Sequence, residues 1–229
     1  MPENTELSPQ SDSLVAALAA AGIELPDEQL QMLDRYREAL WRYNQQLNLT
    51  RHTTFDKFVT RDVVDSLELA KQIAAGRRVL DVGSGGGVPG LILAICRPDL
   101  QVSVCESTQK KARVLQAMID ELGLEVETHA CRVEELLPLR RFDVLVARAV
   151  APLPKILYWL QPHWEAFDEL LLTKGRSWTE ERKEARHRGL LNDLALRCAA
   201  SYETIGFDAP SVILRLCPKD QLEDDDQLD

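Results

Sequence analysis

The chain has 229 residues, 45% hydrophobic and 28% charged, enough apolar material to bury a substantial core as one α/β domain with a modest appendage. No run approaches the ~18 consecutive apolar residues of a membrane helix, and residues 1–10 are polar and acidic, unlike a signal peptide, so a cytoplasmic protein without membrane spans is expected. The net charge of −10 argues against a polyanionic partner only until its distribution is considered: residues 1–34 hold seven acids and no Lys or Arg, residues 218–229 hold six acids against Lys219, and removing those contributions of −7 and −5 leaves the body at +2.

Residues 13–21, rich in Ala and Leu behind Ser11 and Asp12 as candidate caps, predict a helix that Gly22 ends. A longer helix follows from Pro26, where Leu33, Tyr36, Leu40, Tyr43 and Leu47 recur at spacings of three and four and make one apolar stripe facing a core. Residues 55–75 predict another helix, and residues 1–75 together read as a helical extension packed on the domain that begins at residue 76. At Gly76 the period changes. Strands are predicted at 79–82, 102–106, 125–128, 142–147 and 169–173, alternating with helices at 90–96, 109–122, 153–160 and 179–190. A last pair of strands, 199–204 and 212–217, reads as an antiparallel hairpin at one edge. This alternation predicts an α/β fold over residues 76–217, a mostly parallel seven-stranded sheet with helices on both faces. Residues 218–229, whose acids have no apolar stripe to anchor them, are expected to be disordered. The five cysteines, Cys96, Cys105, Cys131, Cys198 and Cys217, are odd in number and form no CxxC pair, which points to reduced thiols and no metal site.

The chemistry concentrates in Val79-Leu80-Asp81-Val82-Gly83-Ser84-Gly85-Gly86-Gly87-Val88-Pro89-Gly90, a strand ending near an acid and a turn that opens a helix. In an open α/β sheet, ligands bind at the carboxyl ends of the strands where strand order reverses, and this turn would lie there. A tight turn needs one glycine; five in the eight residues 83–90 point to close approach of the backbone to a ligand. Pro89 suits the first helical turn. Gly85, Gly87 and Gly90 satisfy GxGxxG, a weak dinucleotide signal that starts three residues beyond the strand's end and lacks a second mononucleotide half. Asp81-x-Gly83-x-Gly85 instead sits at the strand terminus, as in the motif of class I (Rossmann-like) methyltransferases, so S-adenosylmethionine is the expected cofactor. A nicotinamide-dependent oxidoreductase is the alternative.

Glu106 ends the second strand, 23 residues beyond Gly83, where a carboxylate accepts hydrogen bonds from both ribose hydroxyls; a plain surface acid is the other reading. Arg132-Val133-Glu134, after the third strand, would offer a backbone amide and a carboxylate to the adenine edge, unless Glu134 and Glu135 simply start a helix. After the fourth strand the chain reads Ala147-Arg148-Ala149-Val150-Ala151-Pro152-Leu153-Pro154, with no Asn/Asp-Pro-Pro-aromatic tetrad for amino-group methylation and no Pro-Cys pair for covalent attack on a pyrimidine. An acceptor that is already nucleophilic needs neither device, and guanine N7 is one. Catalysis would then come from alignment, without a general base. Arg148 sits where acceptor and methyl donor should meet, and a salt bridge to an acid such as Asp81 is compatible with that place. Residues 174–188 hold six Lys or Arg against Glu180, Glu181 and Glu184. Lys174, Arg176, Arg182, Lys183 and Arg186 read equally as a solvated face or as RNA phosphate contacts.

At these residues the sequence resembles the RsmG family, also called glucose-inhibited division protein B, of 16S ribosomal RNA guanine-N7 methyltransferases. The resemblance runs over residues 41–175. It rests on Asn48-Leu49-Thr50, Asp65-Ser66-Leu67, the loop from Asp81 to Pro89-Gly90, Arg132-Val133-Glu134, Arg148-Ala149 and Lys174-Gly175. It implies that Gly83, Val88, Val133, Glu134 and Arg148 contact S-adenosylmethionine. It also implies N7-methylguanosine in the decoding-region loop as product, and small-subunit ribosomal RNA or the subunit itself as partner. A monomer is expected. The chain departs from the family twice, with Arg61-Asp62 where the family has Arg-His, and with Glu106 where Asp is commoner. A methyltransferase of another RNA position or of a small molecule, and a nucleoside-binding module without catalysis, are the competing readings.

Overall fold

In the computed structural model, which describes residues 10–203 and 209–222, the alternating apolar runs pair into one seven-stranded sheet. Its strands are β1 (Arg78–Val82), β2 (Gln101–Cys105), β3 (Glu127–His129), β4 (Val144–Arg148), β5 (Glu169–Lys174), β6 (Leu194–Tyr202) and β7 (Ser211–Pro218). Their order is β3-β2-β1-β4-β5-β7-β6, with β7 antiparallel to both of its neighbours and every other pairing parallel. Strand order therefore reverses between β1 and β4, which opens a crevice at their carboxyl ends.

The helices before the sheet are α1 (Leu14–Ala20), α2 (Asp27–Asn44), α3 (Phe55–Lys57) and α4 (Val64–Ala70), with a π-helical turn at Phe58–Val63 between the last two. Those within it are α5 (Gly90–Cys96), α6 (Gln109–Leu122), α7 (Val133–Leu136), α8 (Leu153–Leu160) and α9 (Trp178–His187). Successive strand residues point to opposite faces. Val79, Val102, Val104, Val144 and Val146 share one core with α1, α2 and α4 to α6, while Leu80, Val82, Leu145 and Ala147 share another with α7, α8 and α9. The stripe on α2 is real for Leu33, Tyr36 and Leu40, all fully buried. It ends at Asn44, whose Oδ1 accepts the amides of Leu49 and Thr50 and turns the chain before Leu47 can continue it.

Several boundaries differ from the sequence expectation. Ser13, not Ser11 or Asp12, caps α1, its hydroxyl accepting the Ala16 amide. The helix expected over 55–75 is divided by the π-turn. Strand β6 starts at Leu194, five residues before the expected 199; as an edge strand it exposes Arg197 and Cys198, which hides its pattern, and residue 204 lies outside the described residues. Pro218 belongs to β7 and Lys219–Leu222 form a 3-10 turn, so the start of the acidic tail is ordered. Lys219 anchors it: the amide donates to Asp193 O at 3.0 Å and Nζ to Asn192 O at 2.6 Å. Residues 223–229 lie outside the described residues. Among the described residues, no helix is long and apolar enough to cross a membrane.

Candidate active site at the carboxyl edge of the sheet

Strand β1 carries Asp81 almost to its end, and the side chain is 1% exposed. Its Oδ2 accepts the Gly90 amide at 2.9 Å, while Oδ1 accepts no bond from any described residue. The acid thus lies beneath the glycine turn and clamps the far end of that turn, where α5 starts, onto β1. Burial pushes its carboxyl up to about 7, against the lowering effects of the Gly90 amide, Ser84 and Arg148. In the unfolded chain the same group titrates near about 4. Between those values the folded state binds the extra proton, so stability falls as pH rises from about 4 to about 7 and is level above. Asp81→Asn keeps an acceptor for Gly90 and is expected to flatten that decline in thermal melts; an unchanged slope would refute the assignment. Asp65, also raised first by burial, slopes the same way and leaves a residue of the effect.

The turn itself continues the ladder to β2, with the amides of Gly83 and Ser84 donating to Cys105 O at 2.8 and 3.1 Å. Gly83 has φ +71°, and a Cβ there would lie 2.8 Å from Val150 Cγ1, so the segment after β4 rests directly on the turn. Ala149, between Arg148 and Val150, takes φ +54°, a left-handed conformation that costs a non-glycine residue about 1–2 kcal/mol. From α2, the buried Tyr36 hydroxyl donates to Gly86 O at 2.8 Å. The sequence marked Tyr36 only as part of an apolar stripe, since nothing local to it signals this partner. Val88 is half-buried against the helical face.

Glu106 follows β2 and is 6% exposed. Oε2 accepts the Gly85 amide at 3.1 Å and Oε1 the Thr108 amide at 2.7 Å. A carboxylate has about four acceptor sites, so two remain for a ligand's hydroxyls. Val133, buried, and Glu134, half-buried, open α7, and with Glu135 they place acids in its first turn, which suits both readings made of them. The Cys105 thiol donates to Cys131 O at 3.2 Å, joining the end of β2 to the segment before α7. Burial pushes that thiol well above its usual range, so it is an inert packing group.

Arg148 closes β4, and its acid partners are Asp62 and Asp65, not Asp81. Nη1 donates to Arg61 O at 2.7 Å and to Asp65 Oδ2 at 3.1 Å, and Nη2 donates to Asp62 Oδ1. Tyr202 OH donates to the other oxygen of Asp65 at 2.8 Å. Burial opposes the guanidinium's charge, but Asp62 and Asp65 outweigh it and raise the pKa. Residues 62 and 65 fall on one helical face, three apart, and the π-turn at this point accompanies a backbone carbonyl turned toward Arg148. Those three bonds use three of the five N–H donors of the guanidinium.

Lys174 is not presented to a phosphate. Its side chain is 9% exposed and Nζ donates to Ala151 O and Glu181 Oε2, each at 2.8 Å. Glu181 also accepts the Leu153 amide, so this network ties the starts of α8 and α9 together. Arg176, Lys183 and Arg186 are exposed, Lys183 pairing with Glu180, and Arg182 lies 5.2 Å over the Trp178 ring. On neighbouring α8, Tyr158 is 70% exposed and Lys155 lies 5.3 Å over Trp159, an aromatic and basic face that the sequence reading missed.

A sheet of this order, with a glycine turn after β1, a carboxylate after β2 and the short helix α7 beyond β3, defines a class I S-adenosylmethionine-dependent methyltransferase, and the donor set fits that cofactor. Solved structures of similar fold include an O-methyltransferase from Bacillus cereus in complex with SAH, with TM-score 0.58 and 12% identity over 89% of this chain and 97% of that one. The chain belongs to the GidB family, rRNA small subunit methyltransferase G, whose pattern matches residues 29–200. A ribosomal RNA small subunit methyltransferase G from Rhodopirellula baltica is 52% identical over 197 residues, covering 86% of this chain and 84% of the relative. One from Chromobacterium violaceum is 41% identical over 145 residues, 63% and 69% of the two chains. A second structure, M. capricolum TrmK with S-adenosyl-homocysteine, has TM-score 0.54 and 13% identity over 67% of each chain.

Proposed function

We propose that this protein transfers a methyl group from S-adenosylmethionine to N7 of a guanine in 16S ribosomal RNA, as a cytoplasmic monomer, with Arg148 as the catalytic residue. Support comes above all from Arg148, anchored on three partners at the carboxyl edge beside the Gly83 turn with two donors unspent on any described residue. Gly83, Gly85, Val88, Glu106, Val133 and Glu134 would hold the cofactor, Glu106 through its two remaining acceptor sites. When bound, that cofactor supplies an electrophilic methyl on a sulfonium. Guanine N7 carries a free lone pair, so no proton need be removed before it attacks and no general base is required. The unspent N–H donors of Arg148 suit guanine O6, adjacent to N7, and would fix the base in line. Arg176 just before α9 and Arg182, Lys183 and Arg186 on it, with Lys155 and Tyr158 on α8, would meet phosphates and unstacked bases.

Labelled methyl transfer to unmodified small ribosomal subunits, with the nucleoside identified by mass spectrometry, is expected to give N7-methylguanosine at one site. A different methylated nucleoside, or cofactor binding without transfer, would overturn the assignment. Glu106→Ala removes a charged acceptor whose bonds to the cofactor contribute about 1.5–3 kcal/mol in all, so S-adenosylmethionine affinity should drop about 10-fold to 100-fold in a binding titration. Unchanged affinity would remove Glu106 from the site.

A further inference from the structure

Asp62 is fully buried, and a buried carboxylate is costly unless both oxygens are satisfied. Here Oδ2 accepts no bond from any described residue, while Oδ1 takes two, from Arg148 Nη2 and from His52 Nδ1 at 2.7 Å. An ionised carboxylate can only accept, so the imidazole places its proton on Nδ1. The ring is carried on a pinned turn: His52 O accepts Trp41 Nε1 at 3.0 Å, and the His52 amide donates to Thr50 Oγ1 at 3.0 Å. Asp65, itself fixed by Tyr202, already supplies Arg148 with a counter-charge. What Asp62 adds is direction, because it holds the second arm of the guanidinium fork.

We infer that His52 and Asp62 form a positioning pair that orients Arg148 for methyl transfer: the His52 ring holds the same Asp62 oxygen that takes the second arm of the guanidinium. The inference rests on Arg148 being the catalytic residue. Neither member of the pair touches the acceptor. His52 acts through Asp62, and Asp62 acts through Arg148.

The test is the kinetics of methyl transfer to unmodified small subunits by Asp62→Ala, Asp62→Asn, His52→Ala, His52→Asn, the double variant Asp62→Ala/His52→Ala, and Arg148→Lys. Asp62→Ala is expected to lower kcat about tenfold or more, since slight misplacement of a positioned group is costly, with KM for S-adenosylmethionine within about twofold. Asp62→Asn, whose Oδ1 still accepts both bonds, should keep most of the parental kcat, and its melting temperature should match or exceed that of the parent, because one buried charge is gone while Asp65 still pairs Arg148. His52→Ala should lower kcat by less, and should cause no further loss in the Asp62→Ala background. His52→Asn, whose amide donates from a similar place, should restore most of that loss. If His52→Ala costs the same factor in both backgrounds, or Asp62→Ala keeps parental kcat, while Arg148→Lys is strongly impaired, the pair is overturned and Arg148 stands. If Arg148→Lys keeps parental turnover, the role of Arg148 falls, and the pair with it.

Discussion

Arg148→Lys should lower turnover about 10²-fold to 10³-fold, the usual loss when a preorganised donor is removed from the reacting centre, with little change in cofactor affinity. The cause is geometry, not charge. The guanidinium reaches Arg61 O, Asp65 and Asp62 together and still has two donors to offer. A lysine ammonium is a single point with three donors; it can neutralise the two acids but cannot span them and also face a substrate. Arg148→Ala separates the two contributions. It leaves Asp62 and Asp65, 0% and 3% exposed, with no cation between them, and breaking a buried pair in this way costs about 3–5 kcal/mol. That loss should shrink as pH falls, because burial already raises the Asp65 carboxyl and removing Arg148 takes away the main influence that lowers it. Both variants are expected to lose at least about 10²-fold in methyl transfer, but only the Ala variant should melt early at pH 8 and recover toward pH 5. A Lys variant with parental turnover would show that a positive charge alone suffices and would end the case for an oriented fork.

The glycine turn, Glu106 and Arg148 were legible because each sits within a residue or two of a strand end, and strand ends show themselves as breaks in an apolar run. The same logic placed β1, β2, β4, β5 and β7 close to their final bounds. Edge strand β6 was cut short, since Arg197 and Cys198, consecutive and both exposed beside a register shift, break the apolar pattern. The partners of Arg148 were not legible. Asp62 and Asp65 lie 86 and 83 residues before it, and it is the π-turn, a local irregularity without a composition signal, that accompanies their convergence. Asp62 stood out only as a departure from the resembled family. Lys174 misled for the opposite reason: it heads a basic run, and a sequence does not say that one member of such a run folds inward onto Glu181. Tyr36 shows the same limit, because its hydroxyl serves Gly86 from a helix whose periodicity reports only burial.

Gly90→Ala is expected to damage both stability and cofactor binding, and the reason lies in the sheet, not in helix propensity. Alanine is the better helix former, so an isolated α5 would gain from the change. In the fold, the new Cβ would fall 2.7 Å from Asp81 Oδ2, 2.9 Å from Asp81 Cβ and 2.8 Å from Val104 Cγ1. Asp81 and Val104 belong to the two neighbouring central strands β1 and β2, paired residue for residue, and neither can retreat without breaking the register. The start of α5 must move instead, which is overpacking at about 1–3 kcal/mol. It also opens the Gly90 amide bond to Asp81 and so leaves a buried acid with neither oxygen satisfied, a further cost of about 1–3 kcal/mol. Because that bond clamps the turn, S-adenosylmethionine affinity should fall about tenfold or more in the same protein, one factor of ten for each 1.4 kcal/mol of displacement energy. Gly175, with open space around it and no positive φ, is the comparison: Gly175→Ala should melt within about 0.5 kcal/mol of the parent. If Gly90→Ala melts and binds as Gly175→Ala does, the turn is not held against β1 by contact, and the role given to Asp81 beneath it fails at the same point.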